Sequence, residues 1–343
     1  MTQPASGNSL ADLRQAVEPF ARPDLRRSIT QIFTTLVPLG LLMWASAVTW
    51  QWSLPLALLL AFPIAGLLVR TFILMHDCAH GSFLPSRRWN DILGYFTGVI
   101  TFTPFLQWRR DHALHHASSG DLDRRGNGDV PTLTVREYLA RTPRQRLVYR
   151  TIRHPLALLF GGPIHLMLSQ RFRTRSLATR TTQIWSVAAT NAGIIVALSA
   201  GFFFLGWQTV LVAYLIPFYI AAMSGVWLFY VQHQFEDAYW ADGEQWDYVE
   251  AALRGSSHLR LPAVLNWFTG NIGLHHVHHL APRVPNYELP ACHASNPAFH
   301  SAPVVTLRSG MSALRLSLWD EEQKRLVSFA DVHPRVSSRS VHA

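Results

Sequence analysis

Four long stretches, uncharged apart from a single arginine, limit what this chain can fold into. Residues 29–50 and 52–75 form one pair, with Arg70 near the end of the second, and residues 181–205 and 206–231 form another. A helix needs roughly 20 apolar residues to cross about 30 Å of hydrocarbon, and each stretch approaches or exceeds that. Only 15% of the chain is charged, against about a quarter in a soluble domain. The connections, near Gln51-Trp52-Ser53 and Gly206-Trp207-Gln208, are short, uncharged and carry tryptophan, as turns at an interfacial aromatic belt do. Pro38, Pro55, Pro63 and Pro217 are compatible with membrane helices. The apolar stretches 92–106 and 155–169 are shorter and are expected to lie in the interface or dip partway in. The expected fold class is an all-α integral membrane protein with four transmembrane helices in two hairpins, six spans being the rival count.

Charge sets an orientation. Neither hairpin turn contains Lys or Arg, whereas the loop 76–180 holds sixteen arginines and seven acids and carries +9 by itself. Residues 1–28 add four arginines, and the chain after Val231 adds nine basic residues. The positive-inside rule then puts the N-terminus, the central loop and the C-terminal part in the cytoplasm. The expected organisation is a leader over 1–28, a domain over 29–300 with cytoplasmic segments 76–180 and 232–300, and a tail over 301–343. The leader shows no secretion signal and has room for a short amphipathic helix. In the tail, "VVTLRSGMSALRLSLWDEEQKRL" is expected to form an amphipathic helix covering the site. Cys78 and Cys292 are too few for a disulfide framework or a cysteine zinc site.

Histidines gather on that same face. His76 and His80 lie where the second span emerges, His112, His115 and His116 in the central loop, His233 just past the fourth span, and "HHVHH" at 275–279 beyond it. His76 and His80 are one helical turn apart, and H-x-x-H-H places three imidazoles on converging directions. Crowded imidazoles repel when protonated, and a metal that holds them neutral removes the conflict. His276 points about 100° away from His275 on a helix and is left out. His154, His165, His258, His293, His300, His333 and His342 are taken as surface or packed residues. Nine candidate ligands exceed the four of one tetrahedral zinc and suggest two metals. Histidine count alone does not separate iron from zinc. A site at a membrane face is placed to act on lipid, and unactivated C–H bonds call for iron and dioxygen.

"HDCAHGSF", "HALHH" and "NIGLHHVHHLAPRVPNY", with "SSGDLDRRGNGDVPTLTVREYL" and "FYVQHQFED", resemble the histidine boxes and intervening segments of the membrane-bound fatty acid desaturases. The likeness runs over about residues 71–289 and is nearest the bacterial acyl-lipid enzymes of the delta-12 (omega-6) and delta-5 kind. It implies a cytoplasmic helical cap with a histidine-rich di-iron (Fe2+) site, held by His76, His80, His112, His115, His116, His275, His278 and His279, with His233 as an additional ligand. It also implies O2 as co-substrate and a cis double bond introduced into an acyl chain.

Asp77, Asp111, Glu236 and Asp237 lie beside ligands, and Asn271 one turn before His275, all placed to orient imidazoles. Arg70 is expected to reach the cytoplasmic interface. Trp108, Trp267 and Phe268 are candidates for lining an acyl channel. The chain has no H-P-G-G haem motif, no Rossmann fingerprint and no cysteine cluster, so electrons are expected from a separate protein. A ferredoxin with its reductase would suit the basic loop, which would also attract anionic headgroups. Nucleic acid is not an expected partner. The rivals are hydroxylation of an acyl chain, carotenoid or alkane on the same scaffold, and a histidine-rich metal transporter or sensor. The latter should carry ionisable residues inside its spans, and these spans have only Arg70.

Overall fold

The structure, a computed structural model, describes residues 10–126, 130–172 and 181–332. Helix α1 (Leu10–Val17) leads to α2 (Leu25–Thr49) and α3 (Leu54–His80), the first apolar hairpin. Next come α4 (Arg87–Ile100), α5 (Phe105–Ser118), α6 (Val135–Ala140), α7 (Pro143–Ile152) and α8 (Gly162–Phe172). The second hairpin is α9 (Thr181–Leu205) followed by α10 (Trp207–Val210), a π-turn and α11 (Ile216–His233). Beyond it are the short helices α12 (Tyr248–Leu253), α13 (Ala263–Phe268), α14 (His275–Leu280), α15 (Leu289–Ser295) and α16 (Leu307–Ala313).

Local chemistry fixes the hairpins. Asp24 caps α2 by accepting from Arg27 N, Ser53 caps α3 by accepting from Leu56 N, and Pro55 sits in the first turn, where no donor is needed. Gly81 closes α3 at φ 66°, a left-handed position that costs glycine least. The π-turns Ala157–Gly161 and Leu211–Leu215 hold the carbonyls of Leu159 and Ala213, four residues before Pro163 and Pro217. An ordinary α-turn would drive each proline ring into that carbonyl. Trp50 Nε1 donates to Thr209 Oγ1 at 3.0 Å, so the two hairpin turns share one end of the bundle. Trp52 and Trp207 are exposed there.

Among the described residues, four helices are long and apolar enough to cross a membrane: Leu25–Thr49, Leu54–His80, Thr181–Leu205 and Trp207–His233. The stretch 92–106 is split by a turn at Thr101–Pro104, where Phe102 has φ 51°, and 155–169 falls on a π-turn and α8 packed beside α11. Both leave apolar side chains outward, Trp89, Ile92 and Phe96 on α4 and Leu156, Phe160 and Ile164 along the π-turn and α8.

The centre of the molecule is α3, packed on α2, α4, α5 and α11. Its apolar residues from Ile64 to Met75 are buried almost without exception. Arg70 is buried too, and meets protein partners in place of water. Its Nε donates to Thr35 Oγ1 at 3.1 Å, another nitrogen donates to the Trp267 carbonyl, and the Trp267 ring lies 4.2 Å from the guanidinium carbon. Those partners on α2 and α13 replace water around the charge, which removes the need to snorkel.

The tail differs from the expected helix. Strand β1 (Leu133–Thr134) pairs with β4 (Leu316–Asp320), which forms a hairpin with β5 (Arg325–Ser328); β2 (His258–Arg260) pairs with β3 (Val304–Thr306). Only Leu307–Ala313 of the quoted tail segment is helical. Alternating leucines in "LRLSLWD" suit a strand, and Leu318 and Val327 bury against Tyr138 and Tyr149. The described residues are thus mostly helical, with two small sheets among them.

Candidate metal centre

Four helices meet at the bundle end opposite the hairpin turns. The C-terminal turn of α3 brings His76 and His80, α5 brings His112, His115 and His116, α11 ends on His233, and α14 brings His275, His278 and His279. The left-handed pair Gly270 and Asn271, φ 53° and 58°, turns the chain into α14. Val277 and Leu280 pack against Leu13, Val17 and Leu253, which aims the imidazoles of α14 inward.

The nine rings form two groups. In the first, the Nε2 atoms of His76, His278, His116 and His112 close a ring, with separations of 3.1, 3.1, 3.0 and 3.2 Å in that order. The His80 ring lies 4.8–5.0 Å from each of theirs, and its Nε2 is buried without a hydrogen-bond partner. In the second, His115 Nε2 is 3.1 Å from His233 Nε2, which is 3.0 Å from His275 Nε2, itself 3.1 Å from His279 Nε2. The donor atoms of His76, His80, His112 and His278 lie within 4.8 Å of one another, as do those of His115, His233, His275 and His279. His116 stacks on His279 at 4.1 Å and joins the groups.

These separations are those of atoms sharing one cation. Two imidazole nitrogens about 2.0–2.1 Å from a metal, at 90–109°, stand about 2.9–3.4 Å apart. Hydrogen bonding does not explain a closed ring, because a neutral imidazole has one N–H. His76 gives its own to Asp77, Nδ1 to Oδ1 at 2.9 Å, so its Nε2 faces the ring as a bare lone pair. Burial first, then neighbouring imidazoles, hold His112, His116, His275, His278 and His279 well below the usual histidine range. They stay neutral and able to bind a metal. The residues present therefore fit two divalent cations of the imidazole-binding kind.

The supporting residues divide. Asp77 holds His76, whereas Asp111 accepts from Gln107 through both oxygens at 3.0 Å. Glu236 is exposed and pairs with Arg325 at 2.7 Å, and Asp237 is exposed. Asn271 does not hydrogen-bond a ligand imidazole; its Nδ2 donates to the Asn286 carbonyl at 3.2 Å. Trp108 stacks on His112 at 4.2 Å, Trp267 covers Arg70, and Phe268 packs against Gly66. Ser119 Oγ and the Gly255 carbonyl each stand 3.4 Å from His233 Nδ1.

Sequence reasoning missed Asn286 and Gln31, whose side chains reach Asp77 directly and through one another. It also missed that His258, His276, His293 and His300 form a cluster of their own. The quoted "VPNY" contained Asn286, but no spacing rule ties it to His76. His333 and His342 lie outside the described residues, as do the first nine residues of the leader.

Paired histidine groups at the end of apolar helices define a membrane metalloenzyme. The chain belongs to the fatty acid desaturase family, whose model matches residues 49–307. It is 42% identical over 330 residues to a fatty acid desaturase of Bacillus subtilis (strain 168), covering 96% of this chain and 93% of that one. It is 25% identical to the sn-1 acyl-lipid omega-3 desaturase (ferredoxin) of Nostoc sp. (strain 36), covering 82% and 78%. It is 29% identical to the acyl-lipid omega-3 desaturase (cytochrome b5) of Arabidopsis thaliana, covering 64% and 58%. It is a membrane fatty acid desaturase.

Proposed function

We propose that this enzyme places a cis double bond in an acyl chain carried by a membrane lipid, using O2, two external electrons and a pair of iron ions held by the nine histidines. The observation that carries the reading is the two groups of converging Nε2 atoms, one of them a closed ring, sharing α5 and α14 at one end of four apolar helices. His76, His80, His112, His116 and His278 would hold one ion, and His115, His233, His275 and His279 the other. When bound, the iron pair supplies oxidising power toward unactivated C–H bonds, which no side chain has.

The protein's part is to hold, orient and dry. Burial keeps the His112, His116, His275, His278 and His279 imidazoles neutral, and Asp77 fixes the tautomer of His76. Met75 and Val277 are fully buried next to ligands, and Phe229 packs on His115 and His233, which keeps water from the reacting methylenes. Loop charge favours a cytoplasmic centre, with the segments after α3 and after α11 forming a cap on that side of a bacterial inner membrane. The acyl-lipid names of two relatives support a lipid-borne substrate. Ferredoxin, named in one of them, suits the basic loop as an acidic donor. The cytochrome b5 named in the plant relative is the donor to test against it.

The test is expression with a ferredoxin and its reductase in a bacterial host, followed by mass spectrometric location of double bonds in total acyl chains. The expected result is a new cis-unsaturated acid, lost in His115→Ala. A hydroxy acid instead would move the protein to the rival oxidation. No new acyl product from an iron-loaded, membrane-inserted protein would overturn the reading.

A further inference from the structure

Asp77 is a carboxylate 2% exposed to solvent, with His76 on one oxygen and Asn286 on the other. Asn286 donates twice to Asp77 Oδ2, from its backbone N at 2.7 Å and from Nδ2 at 2.8 Å. Its side chain is held in turn by Gln31: Gln31 Nε2 donates to Asn286 Oδ1 at 2.7 Å, and Asn286 Nδ2 donates to Gln31 Oε1 at 3.1 Å. Asn286 is completely buried and Gln31 is 6% exposed. Gln31 lies on α2, Asp77 on α3, and Asn286 in the loop after α14, so three separate elements meet at one carboxylate.

The loop is fastened to α2 at a second point. Asp24 N donates to Tyr287 Oη at 2.9 Å, Arg27 donates to the Tyr287 carbonyl at 2.6 Å, and Arg27 pairs with Glu288. At Gly270 the chain passes so near that a Cβ would stand 3.2 Å from Asn286 Oδ1. A buried amide pair with all its groups engaged has one orientation, because turning either amide would face donor to donor.

We propose that Gln31 and Asn286 are positioning residues of the metal centre: they turn Asp77 so that one oxygen alone serves His76, and so fix the direction of the His76 lone pair. This rests on reading the first histidine group as a metal site. The amide pair transmits the placement of α2 to a ligand on α3 without touching the metal. Loss of the Asn286 amide leaves Asp77 Oδ2 with the backbone donor alone in place of two, and loss of Gln31 loosens the Asn286 amide; Asp77 is then held less firmly, and His76 becomes a poorer ligand while the second group is untouched.

The experiment uses full-length protein in lipid nanodiscs, loaded with 57Fe, comparing wild type, Asn286→Ala and Gln31→Met. The readouts are iron per chain, the rate of iron loss to a chelator, and the Mössbauer doublets. The expected result is iron loss faster by about 10–100-fold in Asn286→Ala, as for other partners of metal-bound histidines. One doublet changes and the other stays. Gln31→Met keeps the shape of the side chain and gives a smaller change in the same doublet. Unchanged iron loss and doublets with a lowered Tm would assign the amides to folding alone and overturn the proposal. So would equal changes in both doublets, which mean general loosening. Wild-type protein that binds no iron would overturn the metal reading and this inference with it.

Discussion

Among the described residues two clusters of imidazoles stand out, and their rings are spaced alike. In the centre, the His76, His112, His233 and His275 rings lie 4.9 and 4.8 Å from their neighbours in pairs. In the outer cluster, His258, His293 and His276 are 4.9 and 5.1 Å apart in sequence, with His300 4.9 Å from His293. The difference lies in the nitrogens. Central Nε2 atoms converge on one another in groups of four or more, whereas His276 Nε2 meets His293 Nδ1 at 3.1 Å and His300 Nε2 meets the His293 carbonyl at 3.1 Å, as ordinary hydrogen-bonded partners do. Among the described residues, only central histidines converge into metal-holding groups. Nearness of imidazoles does not make a site; converging lone pairs do.

The sharpest break of this contrast is removal of a central ligand. His278→Ala should cut desaturation by more than the roughly 100-fold that loss of an outer partner costs, with iron content falling in step. Asp77→Asn should weaken iron binding by about 10–100-fold, read by competition with a chelator. Gly270→Ala should destabilise by about 1–3 kcal/mol from its left-handed backbone, with Tm as the readout. The clash of its Cβ, 2.8 Å from Ile73 Cγ2, adds to that cost. In the outer cluster, His293→Ala should cost about 1 kcal/mol, one hydrogen bond, and leave iron content and product yield at wild-type levels.

The smallest effect concerns pH. Burial pushes His258 down to about 4 and His276 to about 3, against 6.5 for the free side chain. The unfolded chain therefore takes up these protons first. The stability they contribute is complete above pH 6.5 and is lost as pH falls toward 4 and then 3. His258→Ala should flatten Tm against pH between 4 and 6.5 and leave it unchanged above 7. An unchanged slope would show that His258 is protonated in the fold.

The four apolar helices were legible because the uncharged run is itself the physical requirement of a membrane span. Their ends were less so. The second and fourth run past the apolar stretch to His80 and His233, since a helix continues wherever its backbone bonds are made and its ligands need a rigid mount. "HALHH" and "HHVHH" were legible because helical spacing puts three imidazoles on converging directions. Asp77 was found because it adjoins a ligand. Asn286 was not, since its partners Asp77 and Gln31 lie 209 and 255 residues away. The tail was misread because seven residues of helix and a hairpin share one apolar pattern, and burial against Tyr138 and Tyr149 selects the strands.

The sequence by itself determined the membrane helices, the residue types of the centre and the family, because hydrophobic length and ligand spacing are properties of the chain alone. Tertiary structure decided which nitrogens face each other, dividing nine histidines into groups of five and four. It also decided that Arg70 stays buried and that an amide pair holds Asp77. Those outcomes depend on lone-pair direction and on which distant segments share a dry space, and neither is written in the order of the residues.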